Sequence, residues 1–306
     1  MAWPTLRYRP TTRGQNVKNP PFHYHRPGSL ADALDLLAEH GDDAKVLAGG
    51  QSLLPVMALR LGRPEHVIDI GGLDELASIR VDDGAVTIGA MVRHRTAELS
   101  PEVATHAPMV AAALPHVGHR AIRTRGTVVG SIAHADSAAE MPAVCLATDA
   151  VMTATSSRGS REIPAAEFFQ GFFTTALSAD EILTSVTFPA WSSTAGATVV
   201  ETSRRHGDYA MVGVACGVDV PDSTVTDARI ALFGVDGTPV RVNEAEAALV
   251  GSAPDAEAFA AAADVVMSNI EPGGDVHASA NYRRHLAGVL VRQGLAEAAA
   301  KIGAPA

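Results

Sequence analysis

The residues best suited to chemistry in this 306-residue sequence are two glycine-bearing stretches, and neither offers a nucleophile with its base. In the first, residues 45–55, an apolar strand runs through Ala48 into Gly49 and Gly50. Gln51, Ser52, Leu53, Leu54 and Pro55 follow. Glycine takes positive φ at little steric cost and leaves no Cβ between backbone and ligand. Backbone N–H groups exposed at such a turn form a concave donor site matched to phosphate oxygens. The second stretch, Arg125, Gly126, Thr127, Val128, Val129, Gly130 and Ser131, has the same character. Neither has the spacing of a Rossmann or P-loop fingerprint. Two donor-rich loops are what a diphosphate lying between two lobes needs. Taken singly, each is an ordinary strand-to-helix turn, with Gln51 and Ser52 placed to cap a helix.

Three lobes can position these loops. Ser29 and Asp32 mark a helix start, Leu30, Ala33, Leu34, Leu37 and Ala38 keep helical spacing, and Gly41 stops it. Strands at 45–47 and 67–70 complete a small α/β lobe over residues 20–76. The second lobe, residues 77–195, opens with strands at 79–81 and 86–88 around the turn Asp82-Asp83-Gly84. Ser100 and Pro101 start a helix reaching towards Leu114 and bent near Pro108. A helix at 141–148 and strands at 150–155 and 182–188 follow, so strands should outnumber helices around a mostly antiparallel sheet. Residues 196–306 read as strands at 197–203, 211–220 and 228–235, then helices at 243–250, 255–268 and 278–301. In the last helix Tyr282, Leu286, Val289, Leu290 and Gln293 are expected on one face, with Arg283, Arg284 and Arg292 pointing elsewhere.

Composition narrows the function. Hydrophobic residues make up 47% and charged residues 19%, the balance of a globular chain. A net charge of −10 argues against nucleic acid as a partner. The two cysteines, Cys145 and Cys216, lie in apolar runs and read as buried thiols of a reducing, cytoplasmic compartment. They cannot ligate a four-cysteine iron–sulfur cluster. No run reaches the roughly 20 apolar residues of a membrane span. Residues 1–19 carry Arg7, Arg9, Arg13 and Lys18 without an apolar core, a polar extension rather than a signal peptide. His116, His119, His134 and Asp136 lack a recognised metal-ligand spacing and read as structural.

AGGQSLLPVMALRLGRPEHVIDI (residues 48–70) and IRTRGTVVGSIAHADSAAEMPA (residues 122–143) resemble the two flavin-binding signatures of one family. It is the FAD-binding medium subunit of the molybdenum hydroxylases, the carbon monoxide dehydrogenase and xanthine dehydrogenase group. The resemblance runs from residue 20 to the C-terminal helix. It implies an α+β fold: a flavin-binding superfold of the vanillyl-alcohol oxidase type in two lobes, plus a C-terminal lobe of a three-stranded sheet and a three-helix layer. The family usually has Gly-Gly-Asn where this chain has Val129, Gly130 and Ser131. A β-branched valine does not sit readily at positive φ, so the backbone at 129 should be extended, or the loop path should differ. Some members carry an additional iron–sulfur cluster, for which this chain has no ligands.

By the resemblance, FAD contacts fall at residues 48–54, at Thr127, Val128, Val129, Gly130 and Ser131, and at Glu140, where the family commonly has aspartate facing ribose hydroxyls. Leu183 would pack near the flavin. Tyr209 matches a tyrosine beside the isoalloxazine ring in the carbon monoxide dehydrogenase branch. The resemblance also implies a large subunit carrying the molybdenum cofactor and a small subunit carrying two 2Fe–2S clusters, assembled as a dimer of heterotrimers. Electrons would pass from the clusters to FAD and leave to an external acceptor, with no catalytic side chain on this subunit. A stand-alone flavin oxidase or reductase, or a flavin-free structural subunit, are the other readings. A flavin spectrum and turnover without partners discriminate them.

Overall fold

The computed structural model describes residues 19–302, so the extension expected at 1–19 lies outside the described residues but for Asn19. β1 (His23–His25) leads to α1 (Leu30–His40). Ser29 starts α1 by accepting from the N–H of Asp32 at 3.1 Å, and Gly41, with φ 50°, ends it. Ala33, Leu34 and Leu37 lie on the buried face that their spacing implies. β2 (Ala44–Leu47), α2 (Leu53–Ala58) and β3 (His66–Asp69) follow. The three strands form a parallel sheet in the order β1-β3-β2.

The second lobe opens with the hairpin of β4 (Ile79–Asp82) and β5 (Ala85–Gly89). Its turn residues Asp83 and Gly84 both have positive φ, which suits the right-handed twist of a tight hairpin. Then come α3 (His94–Glu98), α4 (Pro101–His106), α5 (Pro108–Ala113), α6 (Arg120–Arg123), α7 (Val128–His134) and α8 (Glu140–Ala147). The expected bend at Pro108 is a full break between α4 and α5. After β6 (Val151–Ser156) and β7 (Gly159–Pro164) the chain makes α9 (Ala165–Phe168), β8 (Phe169–Gly171), β9 (Thr174–Thr175) and β10 (Ile182–Phe188). The main sheet is antiparallel, in the order β4-β5-β10-β6-β7. Helices equal strands in number here, contrary to expectation, because most of the helices are single turns too short to show a period.

The C-terminal sheet has four strands where three were expected: β11 (Ala195–Thr202), β12 (Val212–Asp219), β13 (Asp227–Phe233) and the two-residue β14 (Val240–Arg241). Alternation splits its side chains between two cores. Ala197, Val199, Ala215, Ala231 and Phe233 join the core of the first two lobes, against α5 and α8. Val200, Val212, Val214, Cys216, Ile230 and Leu232 join a second core beneath the helices α10 (Asn243–Leu249), α11 (Ala256–Asn269) and α12 (Ala280–Ala300). Gly294 lets α12 approach the sheet: a β-carbon there would stand 2.6 Å from Cys216 Sγ.

The buried face of α12 is offset from the expected one. It comprises Arg283, Leu286, Ala287, Leu290, Val291, Gly294, Leu295 and Ala298, while Tyr282 and Gln293 are exposed. Arg283 points inward because its guanidinium has partners there: the carbonyls of Met211 and Gly234 (2.7 Å to the latter) and Asp275 Oδ2 at 2.7 Å. A buried charge is tolerated when it is paired and hydrogen-bonded in this way.

Candidate functional site

The first glycine stretch leaves the carboxyl end of β2, the end of a parallel strand at which open α/β sheets take ligands. Gly50 has φ 73°, and residues 48–54 are all half-buried. Among the described residues, the backbone N–H groups of Gly50, Gln51 and Ser52 donate to no backbone carbonyl. The Gln51 side chain turns back on its own loop, Nε2 donating to the Gly49 carbonyl at 3.3 Å. Ser52 precedes α2 but its side chain makes no cap bond. Capping does not account for it.

The second stretch links α6 to α7. Its backbone is stitched to the segment after β5: His94 N–H donates to the Gly126 carbonyl at 3.0 Å and Val128 N–H to the Val92 carbonyl at 3.1 Å. Thr127 caps α7, its hydroxyl oxygen accepting from Gly130 N–H at 3.1 Å. The cap weighed for Ser52 is found here instead. Val129 is helical and buried, which corrects the expectation of an extended backbone. A valine needs no positive φ in the first turn of a helix, so it replaces the family's glycine without strain. Ser131 follows in the same helix, its N–H bonded to the Thr127 carbonyl at 3.1 Å.

The two stretches meet. A β-carbon on Gly49 would stand 2.5 Å from the Arg125 carbonyl oxygen, and one on Gly130 would stand 3.8 Å from Ala48 Cβ. Arg93 holds the contact from the side, its Nη1 donating to the same Arg125 carbonyl. Burial and then the charge of Arg125 lower the Arg93 pKa, with Asp69 opposing. Behind the second stretch lies His94, 3% exposed, with neither ring nitrogen hydrogen-bonded among the described residues. Burial drives its pKa down to about 4, so the ring is neutral at physiological pH.

Arg123 anchors the approach to the second stretch. Its guanidinium pairs with Glu98 at 3.0 Å and donates to the carbonyls of Val117 and Gly118 at 3.1 and 3.0 Å. Sequence reasoning missed both His94 and Arg123. No motif marks the histidine, and the arginine sits inside the second signature as one basic residue among several.

A third wall comes from the link between β11 and β12, a turn as expected, with Gly207 at φ 86°. Tyr209 is 60% exposed, with its hydroxyl end in the neighbourhood of Asp136, Glu140 and Ser52. Burial of that end, the charges of Asp136 and Glu140 and a hydrogen bond with Asp136 push the phenol up to about 12, with Ser52 opposing. Tyr209 thus lies near both Ser52 of the first glycine stretch and Glu140. Glu140 opens α8, and burial pushes its carboxyl up to about 7. Beside it His116 Nδ1 lies 3.6 Å from Glu201 Oε1, and Glu201 Oε2 is buried without a partner among the described residues. Leu183 is a core residue of β10, at a bulge under α7. His116 is committed to Glu201 and His134 packs on Phe173 at 4.8 Å, the structural roles expected of them.

The donor set suits a diphosphate with a polyhydroxylated arm: free N–H groups, no room for side chains at Gly49, and a carboxyl beyond. Comparison with known proteins agrees. A family model described as the FAD binding domain in molybdopterin dehydrogenase matches residues 20–191, and one described as the CO dehydrogenase flavoprotein C-terminal domain matches 197–298. The chain is 43% identical to the nicotine 6-hydroxylase medium subunit of Paenarthrobacter nicotinovorans, over 93% of this chain and 100% of that one. It superposes on a chain of the carbon monoxide dehydrogenase of Hydrogenophaga pseudoflava with TM-score 0.90 at 38% identity, covering 94% and 100%. The corresponding values for quinoline 2-oxidoreductase of Pseudomonas putida are 0.89 and 37%, covering 93% and 99%.

Proposed function

The chain belongs to the family of FAD-binding medium subunits of the molybdenum hydroxylases, and from that premise we propose that its two glycine stretches clasp the FAD diphosphate. The observation that carries this reading is the backbone contact of Gly49 with residues 125–126. It sets one line of unpaired N–H donors beside a second, helix-capped loop. Residues 48–54 would hold the diphosphate from one side and residues 127–131 from the other. Glu140 would accept from a hydroxyl of the nucleotide, Leu183 would back the ring pocket through the core, and Tyr209 would lie against the flavin ring. When bound, FAD supplies the one- and two-electron redox chemistry, while the protein supplies binding, orientation and electrostatics.

The described residues offer no cluster ligands of their own. Cys145 and Cys216 are fully buried, and burial raises both thiols, Cys216 to about 12. Electrons therefore enter across an interface. A small subunit with two 2Fe–2S clusters and a large subunit with the molybdenum cofactor, doubled into a dimer of heterotrimers in the cytoplasm, fit that need. The relatives are named for nicotine, carbon monoxide and quinoline although each is similar to this chain over more than nine-tenths of its length, which supports a substrate site on another subunit. Native mass measurement and a visible spectrum of the purified complex test the reading. Flavin bands and three co-purifying chains are expected. A lone chain that turns over a donor unaided would overturn it.

A further inference from the structure

Four histidines crowd one edge of the first lobe, at the end of the parallel sheet opposite the glycine stretch. His23 and His25 alternate on β1 and so share a face. β1 pairs with β3 in the register His23 to His66, which puts His66 on that face too. α1 covers the sheet and ends on His40. The rings stack as a column: His40 on His66 with centroids 3.6 Å apart, His25 and His23 on His66 at 5.1 and 5.0 Å. His25 Nε2 lies 2.9 Å from His66 Nδ1. One of those nitrogens must accept, so at least one ring is neutral. The only histidine–carboxylate pair within 4.0 Å among the described residues is His116 with Glu201, and the acid acting on the column, Glu39, does so through its charge on His25 without pairing with it.

We propose that His25, His40 and His66 form a site for a divalent transition-metal ion of the zinc class. One nitrogen from each lies within 4.8 Å of the others. A tetrahedral ion with bonds of about 2.0–2.1 Å needs its ligand nitrogens roughly 3.3 Å apart, so binding turns the rings out of their stack to converge on the ion. Imidazole is a good ligand for zinc, copper and nickel and a poor one for magnesium or calcium. The backbone holds the frame in place: His23 N–H donates to the Glu65 carbonyl at 2.7 Å, and Glu65 N–H to the Asp43 carbonyl at 2.9 Å. The first residues of the three strands are fixed together beneath the rings. A fourth position remains for water or for the exposed His23. The ion clips the edge strand β1 and the end of α1 to β3, a structural role separate from the redox site.

The test is to strip the full chain with a chelator and titrate it with Zn²⁺, by calorimetry and by thermal melting. One equivalent should bind per chain. Tm should rise with Zn²⁺ concentration by mass action, fall back on chelation, and stay unmoved by Mg²⁺. Flavin content should not change. His25→Gln and His40→Gln, on an edge strand and a helix end, should each weaken Zn²⁺ binding about tenfold or more, while His119→Gln should not. Only weak, unsaturable binding, an equal response to Mg²⁺, or undiminished affinity in both the His25 and His40 variants would overturn the site.

Discussion

Gly49 and Gly126 touch backbone to backbone, and a β-carbon on Gly49 would stand 2.6 Å from the α-carbon of Gly126. Nothing flexible lines that contact, so even a methyl must push the two stretches apart. Overpacking of this kind typically costs about 1–3 kcal/mol. Gly49→Ala should therefore lower FAD retention by roughly tenfold, a factor that takes about 1.4 kcal/mol. Gly50→Val should abolish retention, because it sets a β-branched residue at φ 73°. The flavin-to-protein ratio after gel filtration reads both effects, with circular dichroism checking the fold. Full occupancy in a stable Gly49→Ala chain would sink the clasp.

Tyr209→Ala leaves both glycine stretches intact, so FAD should stay bound. The side chain is largely open to solvent while its hydroxyl end lies near Ser52 and Asp136, a posture that lets it cover a ligand edge without closing the site. Stopped-flow reoxidation of the reduced complex should show altered rates with oxygen, NAD or a quinone analogue. Unchanged rates with all three would make Tyr209 a structural residue.

Glu140 makes the flavin-free chain lose stability as pH rises from weak acid to neutrality. Burial raises its carboxyl from 4.5 to about 7. A raised folded-state pKa contributes stability that is whole below about pH 4.5 and is lost as pH climbs through 7. At 1.36 kcal/mol per unit the full loss is about 3 kcal/mol. His116, raised by its contact with Glu201, adds in the same direction. Glu140→Gln should flatten the fall in Tm between pH 5 and 8. Identical slopes in the two chains would refute this account.

Arg123→Met leaves Glu98, whose carboxyl burial raises but Arg123 and Arg95 lower overall, to Arg95 alone at 3.0 Å. The substitution also removes the guanidinium that gathers the carbonyls of Val117 and Gly118, charged hydrogen bonds worth about 1.5–3 kcal/mol. A fall in Tm accompanied by weaker FAD binding is the expected result. A Tm equal to that of the unaltered chain would show the pair to be dispensable.

Local chemistry was legible in the sequence. Ser29 and Ser100 cap helices as their positions suggest, since a cap involves residues within one turn. The glycine stretches announced themselves by residue type. Elements made by distant contacts did not. α3, α6 and α7 are single turns or little more, and β14 exists only because β13 offers an edge. Helical spacing puts Arg283 off the apolar face of α12, yet carbonyls left over at the start of β12 and after β13 hold it inside. The histidine column escaped notice for the same reason. His25, His40 and His66 come from three separate segments, aligned only by the parallel register of β1 with β3 and by the packing of α1 on that sheet. The meeting of Tyr209 with Ser52 needed the family resemblance, because no local pattern links residues so far apart.

The sheet of β11 to β14 is owned by neither half of the molecule. Its alternating side chains are claimed on one side by α5 and α8 and on the other by α12. Melting either half strips a face from the other, so the two cannot come apart in sequence. Calorimetry of the isolated chain should show one endotherm, with calorimetric and van't Hoff enthalpies in agreement. Two resolved endotherms would contradict this. A gene cut between residues 191 and 197 would not release a working flavin module. It would release one with the flanks of α5 and α8 laid open to water, an apolar surface that favours aggregation.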